Sequence, residues 1–139
     1  MPVAFRIMPS SGLVYVRFEG QLLIDEIIEA FESYARNPLA DPGQKHLVDL
    51  SRVTGITWDY LKLMRLQAIK AGFFCGHGAQ TLKVYVCPTD LSLEVSRMIL
   101  RSWEGVDAVV PLLQRQPDEA LSVLGLQQDR FSDLFADHG

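Results

Sequence analysis

The chain has little sulfur. Its two cysteines, Cys75 and Cys87, lie 12 residues apart and form no framework spacing. A disulfide scaffold is excluded, and a reduced, cytoplasmic setting is expected. Its three histidines, His46, His77 and His138, are scattered. A metal site needs about four ligands at recognisable spacings, so neither a metal nor another cofactor is expected. Basic charge is scarce as well: 13 Lys and Arg stand against 17 Asp and Glu, a net charge of −4. A nucleic-acid binder usually shows a basic face, so that class is set aside, and nothing draws the chain to anionic lipid. No apolar run approaches the roughly 20 residues of a membrane helix. The opening MPVAFRIMPSSG has no charged region followed by a long apolar stretch, so no signal peptide is expected. There is no internal repeat, no low-complexity segment and no stretch that spells out a reaction.

What is present is an ordinary globular balance, 48% hydrophobic and 22% charged over 139 residues. One domain over residues 1–126 is expected, with a polar tail at 127–139 that is helical if Phe131, Leu134 and Phe135 share a side. Val3 to Met8 and Leu13 to Phe18 read as a hairpin around Pro9-Ser-Ser-Gly12. Ile24, Ile27, Ile28, Phe31 and Ala35 recur at helical spacing from about Leu23 to Arg36, where Asn37-Pro38 stops the helix. His46 to Leu50 reads as a strand. A helix follows from about Trp58 to Phe73, with Leu61, Met64, Ala68 and Ala71 predicted as its inward stripe. Leu82 to Cys87 is a strand, and Leu91 to Trp103 a helix capped by Thr89 or Asp90. Ala108 to Leu113 is a fifth strand, and Pro117 to Gly125 bracket a short helix. The order β-β-α-β-α-β-α-β-α predicts an α/β fold with a mixed, mostly parallel five-stranded sheet and about four helices.

In that order, the words GLVYVRFEGQLLIDEI, HLVDLSRVTGI, VYVCPTDLSLEVSRM and PDEALSVLGL resemble the small prokaryotic SpoIIAA-like proteins, relatives of the STAS domain of anti-anti-sigma factors. The resemblance covers about Val3 to Leu126. It implies a mixed sheet with helices largely on one side, and a more distant kinship to the lipid-binding SEC14 class. In phosphorylated anti-anti-sigma proteins the acceptor hydroxyl sits at a helix N-terminus, where free N–H groups and the helix dipole favour an anion. Here Thr57, Trp58 and Asp59 occupy the motif, and the acceptor serine is missing. Thr57 is therefore read as a helix cap in preference to a phosphorylation switch, and Asp59 supplies first-turn negative charge.

Three functional readings follow. The leading one is a non-enzymatic binding or regulatory module that contacts a protein partner or self-associates as a homo-oligomer. Its candidate surfaces are the Thr57–Tyr60 helix start (Thr57, Trp58, Asp59, Tyr60) and the turn at Thr89, adjacent if the sheet is wound as the family suggests. The alternative is a carrier of a small apolar ligand or lipid between sheet and helices, lined by Trp58, Phe74 and Trp103. The third is a thiol enzyme at Cys75, with His77 nearby. The acidic row Asp25, Glu26, Glu29 and Glu32 lacks a lysine on its own helix and could face a basic partner. Phe131 and Phe135 could dock on another subunit.

Overall fold

The computed structural model describes residues 3–76 and 80–135. Strand β1 (Val3–Met8) turns through Gly12, whose φ of 58° suits glycine, into β2 (Leu13–Leu23). Helix α1 (Ile24–Arg36), β3 (Lys45–Thr57), α2 (Tyr60–Phe74), β4 (Thr81–Val86) and α3 (Asp90–Leu100) follow. A 3-10 turn (Arg101–Trp103) leads to β5 (Val109–Gln114), α4 (Pro117–Val123) and the single turn α5 (Gln128–Phe131).

The strands lie in the order β1-β2-β3-β4-β5. The β1–β2 pair is antiparallel and the other three pairs are parallel. The chain is thus α/β with a five-stranded, mostly parallel sheet. Each new strand joins the edge the last one left. Right-handed crossovers that always step the same way place their helices on one face. Helices α1, α2 and α3 share that face, packing Ile27, Phe31, Leu66, Phe74, Val95 and Ile99 onto Val14, Val48, Leu50 and Tyr85. Helix α4 has no later strand to reach and crosses to the other face. There Ala120, Leu121, Leu124 and Phe131 cover Leu13, Tyr15, Leu47, Val84 and Val86. Phe131 is buried on the chain's own sheet, and Phe135 meets the Tyr15 ring edge-on at 6.1 Å. These two rings are therefore occupied within the chain, not held out for a second subunit.

Two strands run past the predicted boundaries. β2 extends to Leu23 through two register shifts, at Arg17/Glu19 and Gly20/Gln21, the second made by Gly20 at φ 70°. β3 extends to Thr57, eight residues beyond its last pairing with β4, Asp49 with Val86. The stripe read on α2 is also corrected. Leu61 and Met64 face solvent, and the buried positions are Leu63, Leu66, Lys70 and Phe74. Apolar residues occur on every side of this helix, so periodicity does not select a face.

Candidate functional site

Alternation along the strands decides which side chains meet beneath α1. On β2 it turns Val14, Val16 and Phe18 toward the helices. On β3 it turns His46, Val48 and Leu50, and on β4 Lys83 and Tyr85. His46 and Lys83 are register partners on adjacent parallel strands, so their side chains stand next to each other. Lys70 reaches the same place from α2. The result is a cavity of about 40 Å³ between α1 and the sheet, walled by Val3, Phe5, Val16, Ile27, Phe31 and Ile99, with His46, Lys70, Lys83 and Tyr85 in its lining. At about 10–15 Å³ per water, it has room for about three.

The polar lining is nearly closed from solvent, with His46 and Lys70 each 2% exposed and Lys83 7%. Neither ring nitrogen of His46 has a hydrogen-bond partner among the described residues. Its ring meets those of Tyr34 and Phe74 edge-to-face, with centroids at 5.4 and 5.6 Å. The Lys70 ammonium position donates to Ser102 Oγ, which itself donates to the Ile99 carbonyl at 2.7 Å. Trp103 lies under both lysines, with its ring 4.1 Å from Lys70 Nζ and 4.5 Å from Lys83 Nζ. Its indole N–H donates to the Tyr85 hydroxyl at 2.6 Å, which leaves the hydroxyl's own proton without an acceptor among the described residues. Tyr34 also lines the cavity, but its hydroxyl points away and donates to Gln44 Oε1 at 2.8 Å.

Among the described residues no carboxylate lines the cavity beside these bases. The buried Asp49 is on the opposite face, where it accepts from the Tyr15 hydroxyl at 2.8 Å and from the Ser51 N–H and hydroxyl. Taking an unpaired cation out of water costs several kcal/mol, so such groups give up their protons. Burial pushes Lys83 down to about 7. Burial, with Lys83 nearby, pushes Lys70 well below the lysine range. Burial and both lysines hold His46 well below the histidine range. Burial raises Tyr85, which stays a neutral phenol.

The residues singled out from sequence stand around this site rather than in its lining. Phe74 is buried against His46 and Trp103, and Trp103 anchors Tyr85, so both back the cavity's polar end. Trp58 is half-buried at the foot of α2, with the Arg101 guanidinium 5.6 Å over its ring. Thr57 is not the helix cap. It is the last residue of β3, and its Oγ1 accepts from Gln21 Nε2 at 3.2 Å. The cap is Asp59, whose Oδ1 accepts from the Lys62 N–H at 3.1 Å. That carboxylate already fills the position a phosphate would need. Tyr60 is exposed in the first turn. Thr89 caps α3 in a reciprocal box with Ser92, each side chain accepting the other's backbone N–H at 3.0 Å. Trp58 meets Arg101 at the C-terminal end of α3, whereas Thr89 caps the N-terminal end of that helix, so the two surfaces meet opposite ends of α3. Across the helices, Asp25 pairs with Lys62 and Glu32 with Arg65, so part of the acidic row finds its partners within the chain.

Cys75 is exposed where α2 ends, and Cys87 is buried. His77 and His138 lie outside the described residues. Among the described residues, no group of three or more His, Cys, Asp or Glu side chains could hold a metal, and no helix is long and apolar enough to cross a membrane. Sequence reasoning passed over His46, Lys70 and Lys83. The two strand residues leave a trace there: each is the polar member of an inward-facing alternation, His46 with Val48 and Leu50, and Lys83 with Tyr85. The chain matches no protein-family model, and a comparison with curated proteins gives no match.

Proposed function

We propose that the chain is a non-enzymatic binding module of the SpoIIAA-like kind that holds a small, largely apolar molecule between α1 and the sheet. The single observation that carries the reading is His46. A buried ring with both nitrogens unpartnered, facing a cavity with apolar walls, lacks hydrogen bonds that a bound molecule would supply. The kinship is supported by the opening antiparallel hairpin and the sequential strand order. A fragment screen by ¹H–¹⁵N correlation NMR tests the binding. Small fragments should move the amides of Val16, Ile27 and His46, and Ala30→Phe, which narrows the space beside α1, should abolish those shifts. Shifts confined to the outer surface, or unchanged in Ala30→Phe, would count against it.

A second reading has its own observation. The start of α2 presents Tyr60, Leu61 and Met64 to solvent at 65%, 77% and 51% exposure, near the exposed Leu23 that pairs with Thr57. Apolar side chains grouped in this way suit contact with a second copy of the chain. Sedimentation velocity would show a dimer that Leu61→Glu splits. A monomer at all concentrations would remove this reading.

A further inference from the structure

The cavity's polar end holds three nitrogen-bearing side chains and a phenol, and no acid among the described residues. Lys83 Nζ stands over the Trp103 ring at 4.5 Å, His46 has two ring positions open among the described residues, and Tyr85 has a proton to give. Around them the walls are hydrocarbon: Val14, Val16, Ile27 and Phe31. Building on the small-molecule reading above, we infer that the ligand is a short-chain monocarboxylic acid, with its head between Lys83, His46 and Tyr85 and its tail along α1.

The alternatives fit less well. A wholly apolar ligand would leave the His46 nitrogens and the Lys83 amine as unpartnered as they are now. A phosphate dianion would bring a second charge into a site whose other walls are apolar. A halide would leave the hydrocarbon walls without a partner. The volume, about three waters, suits an acid of acetate to butyrate size better than a long-chain fatty acid.

The outer rim adds a constraint. A groove beside the cavity shares Val3, Phe5 and Ala30 with it and carries Glu26 and Glu29. These carboxylates disfavour an approaching anion, so the acid enters in its neutral form. Inside, where Lys83 is a neutral amine, the acid's O–H bond breaks, its electron pair stays on the carboxylate oxygen, and the proton forms a new N–H bond on Lys83; where Lys83 already carries its proton, the acid's proton returns to water. An ammonium–carboxylate pair results with no net change of charge. The groups facing this pair are His46 from β3, Tyr85 from β4, Lys70 from α2, Tyr34 from α1, and Ser102 and Trp103 from the turn after α3. Lys70 Nζ is already engaged with Ser102, and burial lowers both it and His46 well below their ordinary ranges, so Lys83 takes the proton.

The test titrates the full chain with sodium butyrate and, separately, with 1-butanol, following the His46 ring nitrogens and the cavity methyls by NMR. Butyrate should bind saturably at about pH 6.5. Its affinity should fall about tenfold per pH unit above about 7, because binding then requires uptake of one proton. Lys83→Met, a near-isosteric change that keeps the apolar stem, should weaken butyrate at least about tenfold and leave 1-butanol unchanged or tighter. A flat affinity from about pH 6.5 to 8.5 in the wild type, or butyrate binding unchanged in Lys83→Met, would overturn the inference. If 1-butanol binds the cavity as tightly as butyrate, the acid assignment fails and the small-molecule reading stands. If neither compound moves the cavity resonances, both fail.

Discussion

Under α4 the sheet buries an acid, and under α1–α3 it buries three bases. Asp49 has a hydroxyl, a second hydroxyl and a backbone N–H on its two oxygens. Among the described residues His46 has no hydrogen-bond partner on either nitrogen, and Lys83 Nζ stands over the Trp103 and Tyr85 rings. The satisfied cluster holds Tyr15 of β2 to Asp49 of β3 and contributes to the fold. The unsatisfied one costs stability, and a group that costs stability yet stays buried points to binding.

The sharpest way to break this contrast is pH. Lys83 sits near 7 in the fold, against 10.5 for a free lysine. Between those values the unfolded chain carries a proton that the folded chain lacks. Stability should therefore rise with pH from about 7 to about 10, by about 1.4 kcal/mol per unit from this side chain, or about 4 kcal/mol in all. Tyr34, raised to about 12, works in the other direction above about pH 10, since the unfolded phenol ionises first. Urea titrations at several pH values should show the rise in the wild type and a slope smaller by about one proton in Lys83→Met. Identical slopes would mean that Lys83 is charged in the fold.

The next largest effect is on the other face. Asp49→Ala strands the donors of Tyr15 and Ser51 and should cost about 3 kcal/mol. His46→Leu removes two unpartnered nitrogens at similar volume and should gain about 1 kcal/mol. If both substitutions destabilise alike in denaturant melts, the faces do not differ. The smallest effects belong to the α2 start, away from both clusters. Asp59→Ala should cost about 1 kcal/mol of helix capping, and Thr57→Ala no more than about 0.5 kcal/mol. A larger loss for Thr57 would restore it as the cap.

Element order and the hairpin were legible, and the α3 cap was narrowed to Thr89 or Asp90, because each rests on local chemistry: alternation, proline, glycine and a short polar side chain before an apolar run. The length of β2 and β3 was not. The predicted strands end at Phe18 and Leu50; Gly20 serves a register shift within the longer β2, and Gly55 gives room to the Gln21 side chain, whose Oε1 would lie 2.5 Å from an added Cβ. The face of α2 was misread because Leu61 and Met64 look like core residues while Lys70 looks like surface. Burial of a lysine is decided by what surrounds it, and Trp103, Ser102 and Lys83 come from 13 or more residues away. Trp58, Phe74 and Trp103 were predicted as pocket lining; Phe74 and Trp103 stand behind the cavity's polar end, and Trp58 lies at the foot of α2 against Arg101.

The sequential strand order has a consequence for the chain as it leaves the ribosome. Every strand pairs with one already made, so the sheet and its helical face can be assembled in the order of synthesis, by contacts of short loop length. The opposite face has no such schedule. Leu13, Leu47, Val84 and Val86 stay uncovered until Ala120, Leu121, Leu124 and Phe131 emerge. A nascent chain halted at Gln116 would present a nearly complete sheet with one adhesive side, and this is the interval in which a holding chaperone would find it.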